Sequence, residues 1–177
     1  MCIPTAMTTK HEVPESLGTG LRSELKKLLD GGQAHATFAS AVKDLPAKLR
    51  GVVPAGLPYS AWQIVDHIRI AQRDILDFSR NSDGSYKPRK WPDSYWPENP
   101  EPPSEEAWDE AIRQIGEDRE AFETLLNCAS DHTLVAPFAW GEGHTLLREA
   151  LLIADHDGYH TGELIVLRRL LGAWKAS

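Results

Sequence analysis

Residues 154–164 read ADHDGYHTGEL and place His156 and His160 four positions apart. On an α-helix that spacing separates two side chains by about 40° around the axis, so both imidazoles can reach one ion. Neutral imidazole is a ligand for zinc, nickel, copper or iron. The competing reading is a pair of polar residues on a solvated face. The helical wheel puts Glu149, Leu152, Glu163, Leu167 and Leu170 on the histidine face. Leucines do not suit a solvated stripe, and histidines with carboxylates do not suit a core stripe. A buried ion reconciles the two, because buried polar groups need partners.

A pair of ligands makes a weak site, and His67 is the best candidate for a third. Its wheel neighbours are Ile64, Ala71, Asp74 and Phe78. The alternative is a core histidine satisfied by a hydrogen bond. Asp74, two turns along, is a candidate acceptor for a ligand histidine N–H or a fourth ligand. Tyr159 either donates to a bound anion or packs at a helix contact. Arg168 and Arg169 either hold a substrate carboxylate or complement a helix C-terminus. His144 lies twelve residues before His156, about three turns and too far for the same ion. His11 falls in an N-terminal tail and His132 in a loop. Nothing argues for His35 beyond a place after Gly31–Gly32.

These residues need helices to position them. Leucine spacing predicts a helix over 17–29, stopped by Gly31–Gly32. Phe38, Ala41, Val42 and Leu45 predict a second over 34–45, ended by Pro46. LRGVVPAGLPYS is a linker. Ser60 with Gln63 forms a capping box for a helix over 61–79. Ser104 caps another, striped by Trp108, Ile112, Ile115, Phe122 and Leu126 and broken by Arg119. The last runs over 146–171, capped by Thr145 and stopped by Gly172. Trp62 and Trp108 belong to the core. Between the third and fourth helices, NSDGSYKPRKWPDSYWPENPEPP is dense in proline with Trp91, Tyr95 and Trp96 interleaved. Such a loop either straps hydrophobic surface or walls a pocket. With no competing strand pattern, the fold class is all-α, a helical bundle with a long Pro/Trp-rich crossover loop.

At 177 residues, the expected organisation is a tail over 1–15 and one domain over 16–175. A net charge of −7 argues against a general nucleic-acid binder. Cys2 and Cys128 form no CxxC, so neither a disulfide scaffold nor a thiolate cluster is expected. The N-terminus lacks an apolar signal core, and no apolar run approaches bilayer length. A cytoplasmic protein without a membrane partner is expected.

With WQIVDHIRIAQRDILDFSR on one helix and GHTLLREALLIADHDGYHTGELIVLRRLLG on the last, the chain resembles the DinB-like superfamily of helical metalloproteins. That superfamily includes bacillithiol transferases and mycothiol-dependent enzymes. DHDGYHTGE followed by LRRLLG is the most specific part, and the resemblance spans 17–174. It implies a four-helix bundle of up-up-down-down type, often a homodimer. It also implies a divalent ion, commonly zinc or nickel, on His67, His156 and His160. Three histidines leave at least one position open, as in catalytic sites. The resemblance favours transfer of a low-molecular-weight thiol onto a small electrophilic substrate. Hydrolysis, with Glu163 or Asp74 as general base, is the second reading. A metal-stabilised binding module without turnover is the third.

Overall fold

The computed structural model describes residues 17–174; the expected tail, with Cys2 and His11, lies outside the described residues. Helix α1 (Leu17–Asp30) ends where Gly31 and Gly32 take φ of 72° and 75°, a region open to glycine. Helix α2 covers only Phe38–Val42, shorter than the expected 34–45. Thr37 caps its start through the Ser40 N–H, and Asp44 turns to φ 54° just after it. A 3-10 turn, Ala47–Leu49, follows.

Helix α3 (Ala61–Ser79) opens on the Ser60–Gln63 capping box. Ser104 caps α4 (Glu105–Cys128), and Thr145 caps α6 (Leu146–Leu170). Between them lies the short α5 (Asp131–Val135), so His132 is helical rather than in a loop. The described residues form no strand beyond an isolated bridge between Pro137 and Thr145. No helix among them is long and apolar enough to cross a membrane.

Pairwise contacts give the direction of each long helix. Arg69 meets Gln114 and Arg73 meets Asp118, so α3 and α4 run in parallel. Arg22 reaches the Leu126 carbonyl and Lys26 reaches Glu123, so α1 opposes α4. His67 meets His156 while Phe78 meets His144, so α6 opposes α3. The chain therefore runs up, down, down, up, and this corrects the expected up-up-down-down order. The cause is the 80–104 connection, which climbs back along the whole of α3. Tyr86 contacts Asp74, Tyr95 contacts His67, the Pro97 carbonyl takes Gln63 and the Pro100 carbonyl takes Ser60. Having returned to the start of α3, the chain repeats its direction in α4.

Two apolar clusters fill the interior. One joins Val65, Ile68, Trp108, Ile115, Leu164 and Leu167 with α2. The other joins α1 to Leu76, Phe122, Leu126, Leu134 and Ile153. Trp62 and Trp108 are core residues, as expected. Asp118, not Arg119, holds the polar position on the inner face of α4, where Arg73 meets it at 2.5 Å. Burial pushes the Asp118 carboxyl up in pKa, against the pull of Arg73. Arg168 is buried and donates to the carbonyls of Ala41, Lys43 and Ala173, tying α2 to the end of α6. It has no part in a carboxylate site, and Arg169 is exposed. Leu170, expected on the histidine face, is 57% exposed.

Candidate metal centre

Because α3 and α6 cross in opposite directions, one residue of the first meets a four-residue repeat of the second. His67 is buried among its α3 neighbours at 3% exposure, and His160 on α6 at 6%. His156 is the most open of the three. Each offers one ring nitrogen, and these three atoms lie within 4.8 Å of one another. The Nε2 atoms of His67 and His156 are 3.0 Å apart.

The outer ring nitrogens determine what the inner ones can do. His67 Nδ1 donates to the Tyr95 carbonyl at 2.9 Å, since a carbonyl only accepts. His160 Nδ1 donates to Glu163 Oε2 at 2.6 Å. The protons are thereby placed outside, and both Nε2 lone pairs point inward. His156 Nδ1 faces Asp157 Oδ1 at 3.6 Å. That oxygen is shielded from solvent and has no hydrogen-bond partner among the described residues. If His156 carries its proton on Nε2 to satisfy His67, its bare Nδ1 faces the Asp157 carboxyl at 3.6 Å with no hydrogen bond between them. If it carries the proton on Nδ1, two lone pairs meet at 3.0 Å. A cation on the three Nε2 atoms removes the conflict, and His156 Nδ1–H then turns to the orphaned Asp157 oxygen. The donor set thus fits a divalent ion with imidazole preference.

Electrostatics point the same way. Burial lowers the His67 pKa to about 4, with His156 adding to the shift and the Tyr95 hydrogen bond opposing it. Burial lowers that of His160 to about 3, aided by His156 and His67. Both rings are neutral at pH 7, the form that ligates metal. Burial also raises the Asp157 carboxyl above its usual range, with His156 opposing.

The crossover loop does more than cover apolar surface. Trp96 stacks on His67 with centroids 3.8 Å and planes 5° apart, and Tyr59 stacks on the other side of Trp96 at 3.8 Å. The Tyr95 hydroxyl donates to Asp74 Oδ2 at 2.6 Å, and Tyr86 donates to both Asp74 oxygens at 3.2 Å. Burial and the Asp74 charge hold the Tyr86 hydroxyl up at about 12 in pKa. Asp74 thus receives tyrosines, not a ligand histidine. The acceptor for His67 is the Tyr95 carbonyl, a role that the sequence reading gave to Asp74.

Glu163 lies on the outer side of His160, not on the side where the three nitrogens converge. Tyr159 is 64% exposed and sits edge-on to His160 at 4.9 Å. It shares a small outer groove with Glu163, Val166 and Leu57. A hydrogen bond to Glu163 raises its pKa.

The inner side opens into a cavity of about 970 Å³ between α3, α6 and the loop. Its wall includes the three histidines, Asp74, Tyr86, Trp91, Tyr95 and Trp96. His144, Arg148 and Glu149 line its far end. His144, expected to be too distant for the ion, has its Nδ1 3.2 Å from Glu149 Oε1 and 3.5 Å from Arg148 Nη1. His35 does not line this cavity; it lies beside Gly158. Tyr95, Trp96 and Asp157 were not singled out as site residues, although each adjoins a residue that was or lies in the aromatic loop.

Compared with curated proteins and with solved structures, the chain matches none. Residues 32–164, from the end of α1 to beyond both α6 histidines, match the family model of the DinB superfamily. The match covers most of the chain, includes all three converging histidines and agrees with the all-helical fold: the protein belongs to the DinB superfamily.

Proposed function

We propose that the protein is a divalent-metal-dependent transferase that passes a low-molecular-weight thiol to an electrophile in the 970 Å³ cavity. One observation carries this reading: His67, His156 and His160 each bring one ring nitrogen to within 4.8 Å of the others, and His67 and His160 are held there by acceptors at their outer nitrogens. His67, His156 and His160 would hold the ion, with zinc or nickel suiting the nitrogen set. When bound, such an ion lowers the pKa of a thiol or water in its open position. Glu163 and the Tyr95 carbonyl keep two ligand rings in the correct tautomer and orientation. Trp96 and the rest of the loop limit water at the reacting centre.

The placement of the carboxylates counts against hydrolysis that relies on a general base. Hydrolysis needs a base within reach of the attacking water. Glu163 is committed to the outer edge of His160, and Asp74 is committed to two tyrosines. A thiol or a water ionised by the metal needs no such base, and of the two the resemblance favours the thiol. The cytoplasmic location and the homodimer implied by the resemblance belong to the same reading. Exposed Leu151, Tyr159, Val166 and Leu170 on one flank of α6 support a second copy there.

Incubation of zinc- or nickel-loaded protein with a panel of small thiols and a chloro-dinitrobenzene tests the reaction. Turnover with at least one thiol, abolished by chelation and by His67→Ala, is expected. Metal-dependent ester or amide cleavage without thiol would replace the transferase with the hydrolase. Metal binding with neither activity would leave a binding module.

A further inference from the structure

We propose that Arg148 forms a carboxylate-binding subsite at the far end of the cavity. The ligand is then an elongated organic acid, and its opposite end reaches the histidine cluster. Only that second statement rests on the metal reading above.

Arg148 and His156 are eight residues apart on α6 and line the same cavity. That separation is roughly 12 Å along the helix axis. Among the residues lining the cavity, Arg148 is the one lysine or arginine. It sits in the first turn of α6, with its backbone N–H held by the Thr145 hydroxyl at 3.1 Å. A cation is disfavoured at this positive end of a helix; the buried Glu149 accounts for the partner of Nη1 and leaves the other edge of the guanidinium without one among the described residues. An anion bound beside it gains from both the guanidinium and the helix end.

The Arg148 side chain is 47% exposed and is anchored through one nitrogen. Nη1 donates to Glu149 Oε1 at 2.7 Å, and Glu149 is only 2% exposed. His144 Nδ1 lies 3.2 Å from the same oxygen. Among the described residues, Nε and Nη2 of Arg148 have no partner. Those two donors form the edge that matches a carboxylate bidentately. Of the other acids on the wall, Asp74 is taken by tyrosines and Glu142 is exposed.

Phe78, Trp140 and Leu152 lie along the cavity wall with the two ends. Trp140 is fixed by its indole N–H on the Phe78 carbonyl at 2.8 Å. Gly141 is pressed on Phe78, where a Cβ would stand 2.8 Å from Cζ. The wall is therefore aromatic and closely packed, and it suits an apolar or flat middle section.

The test uses metal-free protein first. Binding of 4-phenylbutyrate and 4-phenylbutanol is followed by quenching of tryptophan fluorescence. The acid should bind about tenfold or more tightly, and Arg148→Gln should bring the two together. Arg148→Lys, which keeps charge without the fork, should retain part of the preference. Circular dichroism checks that each variant is folded. Equal binding of acid and alcohol to the unaltered protein, or a preference that survives Arg148→Gln, overturns the subsite. Cobalt-loaded protein then receives 8-mercaptooctanoate or 1-octanethiol, with binding read from the cobalt absorption bands. A preference for the mercapto-acid that vanishes in Arg148→Gln supports the two-ended ligand. Equal affinity for both thiols contradicts it. If no cobalt spectrum forms but the phenylbutyrate preference depends on Arg148, the subsite stands and the metal reading falls.

Discussion

Trp96 lies flat on His67, and the carbonyl of the residue before it, Tyr95, takes the His67 Nδ1 proton at 2.9 Å. One loop thus holds His67, a candidate metal ligand, by both its face and its outer edge. The ring can neither tilt nor change tautomer without moving the loop. Replacing Trp96 with alanine should weaken metal affinity by about 10-fold or more, the scale seen for residues that support metal ligands. Competition with a chromophoric chelator checks this. Unchanged affinity would mean that the stack plays no part in holding the ligand.

Tyr95→Phe removes the 2.6 Å hydrogen bond to Asp74 but keeps the Tyr95 carbonyl. A hydrogen bond to a charged group contributes about 1.5–3 kcal/mol. The variant should lose about that much stability in urea unfolding. Its metal affinity should fall less than that of Trp96→Ala.

Glu163→Gln separates two roles for this carboxylate. As the acceptor for His160 Nδ1, it should change metal affinity by about 10–100-fold. In saturated, metal-loaded protein it should leave the acidic limb of any pH–rate profile in place. Loss of the acidic limb with unchanged metal affinity would instead make Glu163 the general base.

The metal-free protein should weaken in acid. His67 and His160 stand at about 4 and about 3 in the folded chain, against an ordinary value of 6.5. The unfolded chain therefore binds more protons between those values. Stability is full above about pH 6.5 and falls as pH drops toward 4. The loss is on the order of a few kcal/mol. The urea midpoint of chelator-treated protein at pH 7.5 and pH 4.5 checks the sign. A higher midpoint at pH 4.5 would contradict the burial of neutral rings.

The parts of this molecule legible in its sequence are those governed by local rules. Ser60, Ser104 and Thr145 cap their helices because capping needs only the next three residues. The histidine face of α6 followed from helical period alone, and His67 from its conflict with apolar neighbours. The misreadings arose where a second element decides the outcome. Asp74 is seven residues from His67, about 10 Å along the axis. No wheel shows that Tyr86 and Tyr95 return from a distant loop to occupy it. Glu163 shares a face with the histidines, but at three residues from His160 it reaches that ring's outer nitrogen. Arg168 carries a helix-end signature in sequence, while its actual partners are backbone carbonyls across the fold. The direction of α4 depended on how far the crossover loop climbs, which its composition does not encode.

The central claim is that His67, His156 and His160 hold one divalent ion. Elemental analysis of the protein purified without added chelator tests it most directly, alongside His156→Ala prepared in the same way. The account predicts about one zinc or nickel per chain in the unaltered protein and a large loss of both metal and thermal stability in the variant. A folded protein without stoichiometric divalent metal, which takes up none on addition and melts at the same temperature as His156→Ala, would contradict it.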